Sequence, residues 1–161
     1  MRTCVLTVST SVSRRLSEDE SGPLLAHLAE EAGADVEAME VVPDDYGLVE
    51  DRLHHYVDDD FALILTTGGT GFTPDDITPE ATRAVVERDA PGIAEAMRAE
   101  SLKHTPHGML SRAVSGIAHR TIIINFPGSP KAVAQLFPVV APVLAHAVRT
   151  LQRQQGDGPS H

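Results

Sequence analysis

A short apolar run, Phe61-Ala62-Leu63-Ile64-Leu65, ends abruptly in Thr66-Thr67-Gly68-Gly69-Thr70-Gly71. Its length and Leu/Ile content mark a buried strand feeding a tight loop. Glycines at 68, 69 and 71 let that loop take positive φ and approach a ligand without Cβ interference. Successive backbone N–H groups can then converge on an anion, as in phosphate-binding nests. Asp75-Asp76-Ile77-Thr78-Pro79-Glu80 brings carboxylates to the loop exit, with Thr78 expected as N-cap and Pro79 at the first helical position. A phosphate cradle beside carboxylates for a hard cation suits nucleotide chemistry; a glycine-rich turn with nothing bound is the competing reading.

The rest of the chain repeats the strand-to-helix rhythm. Strands are predicted over Cys4–Val8, Asp35–Val42 and Phe61–Thr66, and a hairpin over Ala113–Ala118 and Thr121–Asn125 across His119-Arg120. Helices are predicted over Leu24–Ala32 (capped by Gly33), Tyr46–Val57, Thr78–Arg88, Gly92–Leu102 and Lys131–Gln152, the last bent or broken at Pro138 and Pro142. Such alternation implies a three-layer α/β/α sandwich with a mainly parallel, doubly wound sheet and one short hairpin. A ligand then belongs at the carboxyl ends of the strands, by a topological switch point. The segments Val8–Ser13, Val42–Asp45, Thr66–Asp76 and Asn125–Lys131 each follow a predicted strand.

Length bounds the answer to one domain over residues 1–154, with a polar tail at 155–161 expected to fray. No apolar run approaches the roughly 20 residues of a membrane-spanning helix, and the N-terminus enters a strand without a signal peptide. The single Cys4 excludes an internal disulfide, so a cytoplasmic protein is expected. A net charge of −10 and 4% aromatic residues argue against nucleic-acid partners. Phosphate-rich substrates would need positive potential from backbone N–H groups, helix N-termini and a divalent cation.

Asp44, after the second strand, and Asp76, after the glycine loop, can reach one rim and hold Mg²⁺ that keeps several waters. Turn formation after Pro43 is the competing role for Asp44, and support of the helix start for Asp76. Pro127-Gly128-Ser129-Pro130-Lys131 reads as a second anion-binding turn, with Ser129 as N-cap and Pro130 at the first helical position. The histidines show no metal spacing, and no residue has the surroundings of a covalent nucleophile.

Thr66 to Glu80, TTGGTGFTPDDITPE, resembles the signature of the MoaB/Mog family, the molybdopterin adenylyltransferases of molybdenum cofactor synthesis. Val42-Pro43-Asp44-Asp45, Met109-Leu110-Ser111-Arg112 and Asn125-Phe126-Pro127-Gly128-Ser129-Pro130-Lys131 match in the same order, and the likeness runs from about Thr3 to Gln152. The resemblance implies transfer of AMP from Mg-ATP to the terminal phosphate of molybdopterin, with release of pyrophosphate. It assigns Asp44 and Asp76 to the metal and to catalysis. Gly68, Gly69, Thr70, Gly71, Gly128 and Ser129 fall to phosphate, with Thr10 where the family often has Asp. Ser101, Ser111 and Asn125 fall to molybdopterin, Asn125 by reading a base or pterin edge unless it is a buried cap. Lys103, His104 and Arg112 could neutralise a substrate phosphate, and Arg14 could touch nucleotide. The family suggests trimers or hexamers, with Pro138–Leu144 a candidate shared face, and handover of product to a molybdenum-insertion protein. A scaffold paralogue and a nucleotide pyrophosphatase are the alternatives.

Overall fold

The computed structural model describes residues 1–153, so the end of the expected domain and the 155–161 tail lie outside the described residues. Strand β1 (Arg2–Val8) pairs in parallel with β2 (Asp35–Val42) on one side and β3 (Leu63–Thr67) on the other. Strand β6 (Thr121–Phe126) runs parallel to β3, and β5 (Ser115–Ala118) and β4 (Arg88–Asp89) follow antiparallel, giving the order β2-β1-β3-β6-β5-β4. The chain therefore leaves β1 first toward one edge and later toward the other. The carboxyl ends of β1 and β3 flank the switch point where such sheets bind ligands.

Both faces are covered, as a parallel sheet requires. Helices α2 (Ser21–Glu31) and α6 (Pro130–Leu151) bury Leu25, Ala29, Val133, Phe137 and Leu144 with Val5, Leu65 and Phe126. Helix α5 (Pro91–His104) adds Met97 to that face. On the opposite face α3 (Tyr46–Asp58) and α4 (Thr78–Val85) pack Val49, Leu53, Ala81 and Val85 against Cys4, Leu6 and Ile64. Two short pieces complete the fold: α1 (Thr10–Ser13) and a 3-10 turn at Pro106–Leu110.

Three expectations change. Helix α4 stops at Val85 rather than Arg88, because Val86 turns extended and Arg88 and Asp89 pair with Ile117 and Gly116 at the sheet edge. Gly116 makes that edge possible, since a Cβ there would press on Val86 Cγ1 at 2.5 Å. Helix α6 runs unbroken through Pro138 and Pro142, which lie one turn apart on its exposed side. The carbonyls they leave unpaired can reach water there, which removes much of the usual reason to break. Helix α6 is also long and apolar enough to cross a bilayer, contrary to the expectation of no such run. Its buried residues Val133, Leu136, Phe137, Val140, Leu144 and Val148 recur at helical spacing against the core.

Cys4 lies fully buried in β1, where burial pushes its thiol up to about 12. The native protein should therefore resist a thiol-reactive dye at pH 8 and react stoichiometrically once unfolded in guanidinium. Rapid labelling without denaturant would contradict the packing of β1.

Candidate functional site

Four chain segments leave the sheet at its carboxyl edge and enclose a polar cavity of about 370 Å³. Thr7 and Val8 end β1 and Ser9 follows it, Asp44 follows β2, Thr67 ends β3 with Gly68 and Gly69 after it, and Gly128 and Pro130 follow β6. Asp76, Asp19, Glu18 and Glu20 complete a wall of five carboxylates with Asp44, and among the described residues no lysine or arginine lines it. A second cavity of about 430 Å³ adjoins it, more apolar, lined by Met97, Leu110, Ala113 and Leu136 together with Ser101 and Ser111. Asp76 borders both, and the glycine loop is shared between them, Gly68 and Gly69 on one side and Thr70 and Gly71 on the other.

The loop is held by close contact. Gly68 (φ 97°) passes so near β1 that a Cβ would collide with the Val8 carbonyl oxygen. Gly69 (φ 69°) has no room either, with Thr78 Oγ1 in the place of a side chain and Asp44 Oδ1 3.4 Å from it. Gly128 abuts Gly68 Cα, so the turns after β3 and β6 touch. Thr67 Oγ1 ties them further by donating to the Pro127 carbonyl at 2.8 Å.

Asp44 is fixed by Thr10, whose backbone N and hydroxyl both donate to Oδ2 at 2.9 Å. Asp76 Oδ2 accepts from Thr73 N at 2.9 Å. The second oxygen of each carboxylate accepts no hydrogen bond among the described residues. Carboxylates with a free oxygen beside a phosphate-sized polar cavity are a donor set suited to a hard cation. Among the described residues no cluster of three acidic, His or Cys side chains could hold a metal by protein ligands alone. A cation here would take its remaining ligands from water and substrate oxygens.

Several assignments move. Thr10 anchors Asp44 rather than lining the cavity, and Arg14 lines neither cavity. Asn125 is fully buried: Nδ2 donates to Thr66 Oγ1 at 2.9 Å and Thr82 Oγ1 at 3.0 Å, and Oδ1 accepts from Val114 N at 3.0 Å. That is the buried structural alternative, not an edge-reading amide. Thr78 is the first residue of α4, after Ile77 as cap, and its hydroxyl donates to the Gly68 carbonyl at 2.9 Å. Ser129 does cap α6, accepting from Ala132 N at 3.4 Å. Lys103 and His104 pair with Glu100 at 3.0 and 3.2 Å and hold its carboxyl below the usual carboxylate range, Lys103 most strongly. Neither borders the apolar cavity.

Sequence reasoning missed Arg98, whose spacing from Ser111 hides that they meet. Its Nη1 donates to the carbonyls of Ser111 and Ala113 at 3.2 and 3.0 Å, and it lines the apolar cavity, the one lysine or arginine among the described residues to do so. Asp19 is held rigidly in the wall of the polar cavity. Its two oxygens accept from Gly22 N and Thr7 Oγ1, and a Cβ at Gly22 would displace both partners.

The family model described as "Probable molybdopterin binding domain" matches residues 4–146. The chain belongs to the MoaB/Mog family of molybdenum cofactor biosynthesis. It is 37% identical over 147 residues to the molybdopterin adenylyltransferase of Helicobacter pylori J99, covering 89% of this chain and 84% of that one. Molybdenum cofactor synthesis protein cinnamon of Drosophila melanogaster is 40% identical over 149 residues; they make up 91% of this chain but only 25% of that longer protein. The crystal structure of the molybdopterin biosynthesis enzyme MoaB from Thermus thermophilus superimposes with a TM-score of 0.88 at 40% identity, covering 93% of this chain and 95% of that one.

Replacing Asn125 with Ala leaves three buried groups without their partner, which should cost about 3 kcal/mol of stability. The check is denaturant unfolding. A variant as stable as the parent but weaker toward a pterin would return Asn125 to ligand recognition.

Proposed function

We propose that the protein is a molybdopterin adenylyltransferase, with ATP in the polar cavity and molybdopterin in the apolar one. The observation that carries this reading is the shared border: the glycine loop and Asp76 touch both cavities, so the two substrates' phosphates would meet there. An oxygen of the terminal phosphate of molybdopterin attacks the α-phosphorus of ATP. The bond from that phosphorus to the bridging oxygen of the β-phosphate breaks, and pyrophosphate leaves with the bonding electrons. No proton abstraction or covalent enzyme intermediate is required, so the protein contributes positioning and charge.

Asp44 and Asp76 would hold Mg²⁺, which supplies neutralisation of the triphosphate when bound. The acid wall of the polar cavity supports this: a bare triphosphate would face Asp19, Asp44, Asp76, Glu18 and Glu20, whereas a cation held between carboxylate and phosphate oxygens would attract both and relieve that repulsion. Thr10 fixes the orientation of the Asp44 carboxylate, and the N-terminus of α6 behind Ser129 favours anion over cation. On the other side Ser101 and Ser111 offer hydroxyls to the pterin, and Arg98 is the cation available to the anionic groups of that substrate.

The working assembly would be a homotrimer, or a hexamer of two, in the cytoplasm, passing its product to a molybdenum-insertion protein. Val143 is 47% exposed and, with Val139, Ile93 and Ala96, lines an apolar cleft of about 410 Å³ between α5 and α6 that a neighbouring copy would cover. Light scattering should give three times, or six times, the 17.2 kDa chain mass; a persistent monomer would sink this assembly.

Incubation with Mg-ATP and molybdopterin should yield adenylated molybdopterin and pyrophosphate; neither product forming would overturn the reading. Asp76→Asn and Asp44→Asn should each keep the melting temperature while lowering turnover by about 100-fold or more. The double variant should lose less than the product of the two if both act on one ion.

A further inference from the structure

The carbonyls of the glycine loop are all spoken for. Gly68 O accepts from Thr78 Oγ1 at 2.9 Å, Gly69 O from Thr78 N at 3.1 Å, Thr70 O from Arg112 N at 2.9 Å and Gly71 O from Arg112 Nε at 2.8 Å. Arg112 extends the grip further. Its Nη2 donates to the Asp76 carbonyl at 2.8 Å, and its Nη1 reaches both Glu80 oxygens at 2.8 Å. Every hydrogen-bearing nitrogen of this guanidinium is therefore engaged with the loop or with the helix that follows it.

In a trans peptide the carbonyl of one residue and the N–H of the next point in opposite directions across the same plane. No peptide bond among the described residues is cis. Four consecutive carbonyls drawn toward Thr78 and Arg112 thus turn the N–H groups of Gly69, Thr70, Gly71 and Phe72 the other way. None of these four donates to any group among the described residues. Neither Thr78 nor Arg112 lines the polar or the apolar cavity, whereas residues 68–73 line one or the other. The acceptor side of the loop faces the protein and the donor side faces the cavities.

We propose that Arg112 and Thr78 are positioning residues that hold the loop's carbonyls away from the cavities, so that its four N–H groups form a preset anion cradle for substrate phosphate. This rests on the adenylyltransferase reading and adds what makes the loop selective. Arg112 does not neutralise phosphate by contact, as its position in the sequence suggests; it excludes carbonyl oxygens from a place where negative charge must be bound. A loop free to rotate would offer acceptors as readily as donors, and an already acidic cavity would then repel the ligand. The fork geometry matters. A lysine in place of Arg112 would keep the charge but could not serve the Gly71, Asp76 and Glu80 oxygens together.

The test uses the full chain with Mg²⁺ and inorganic pyrophosphate, and separately Mg-ATP, by calorimetry. Arg112→Lys and Thr78→Val should each weaken both ligands about tenfold or more, through lost donor geometry rather than lost charge. Circular dichroism should stay native. Amide spectra of the wild-type protein supply a readout that needs no variant: the N–H signals of Gly69–Phe72 should shift on titration with Mg-pyrophosphate. Wild-type binding with equal affinity in both variants, or static amide signals at Gly69–Phe72, would overturn the positioning role while leaving the enzyme reading standing. Failure of the wild type to bind Mg-ATP would overturn both. Should Arg112→Lys not fold, Thr78→Val and the amide titration decide.

Discussion

The site depends on how closely the loop after β3 passes the end of β1. Gly68 lies against the Val8 carbonyl with no space for a side chain, and Gly128 lies against Gly68. These two approaches bring three strand ends into one small volume at the switch point of the sheet. They hold only because β1, β3 and β6 are neighbours in register, Val5 beside Leu65 and Leu65 beside Ile124. The buried amide of Asn125 ties β6 to Thr66 and Thr82, on the strand before the loop and the helix after it. Core packing thus fixes where the loop begins and ends, and Thr78 and Arg112 fix how its peptides face.

Charge follows from the same arrangement. An acidic chain that binds phosphate cannot rely on its overall field, so positive potential has to be local. On the proposed reading that potential would come from backbone N–H groups, from the N-terminus of α6 and from a cation held by Asp44 and Asp76. Among the described residues the polar cavity has no lysine or arginine in its wall, while the apolar cavity has Arg98. The asymmetry gives each cavity its own chemistry. On the proposed reading one would accept an anion together with a metal, and the other would offer a guanidinium, two serine hydroxyls and apolar walls to a flat ring system.

Much of this was legible in the chain. Period and punctuation located nearly every element, because buried strands and capped helices carry local signals. Ser129 was readable as a cap because Pro130 follows it, and the Asp44 and Asp76 positions were readable because both follow strands. The rest was set by contacts across long sequence separations. Arg112 holds the Gly71 and Asp76 carbonyls from some forty residues away, so beside Ser111 it looked like a free cation. Asn125 looked like a ligand-reading amide because its partners Thr66, Thr82 and Val114 all lie far from it in the sequence. Arg88 and Asp89 have helical neighbours but pair with a strand edge that only the tertiary fold presents. The cap misassigned to Thr78 has the same cause: a loop carbonyl competes for its hydroxyl.

The central claim is that nucleotide phosphates and metal meet at the border between the two cavities. A crystal structure with Mg²⁺ and α,β-methylene ATP, which cannot be cleaved at the transferring bond, tests it most directly. The triphosphate is expected against the N–H groups of Gly69–Phe72, with the metal bound to Asp44 and Asp76 and the nucleoside in the polar cavity. A nucleotide seated elsewhere, or one whose metal touches neither aspartate, would contradict the claim.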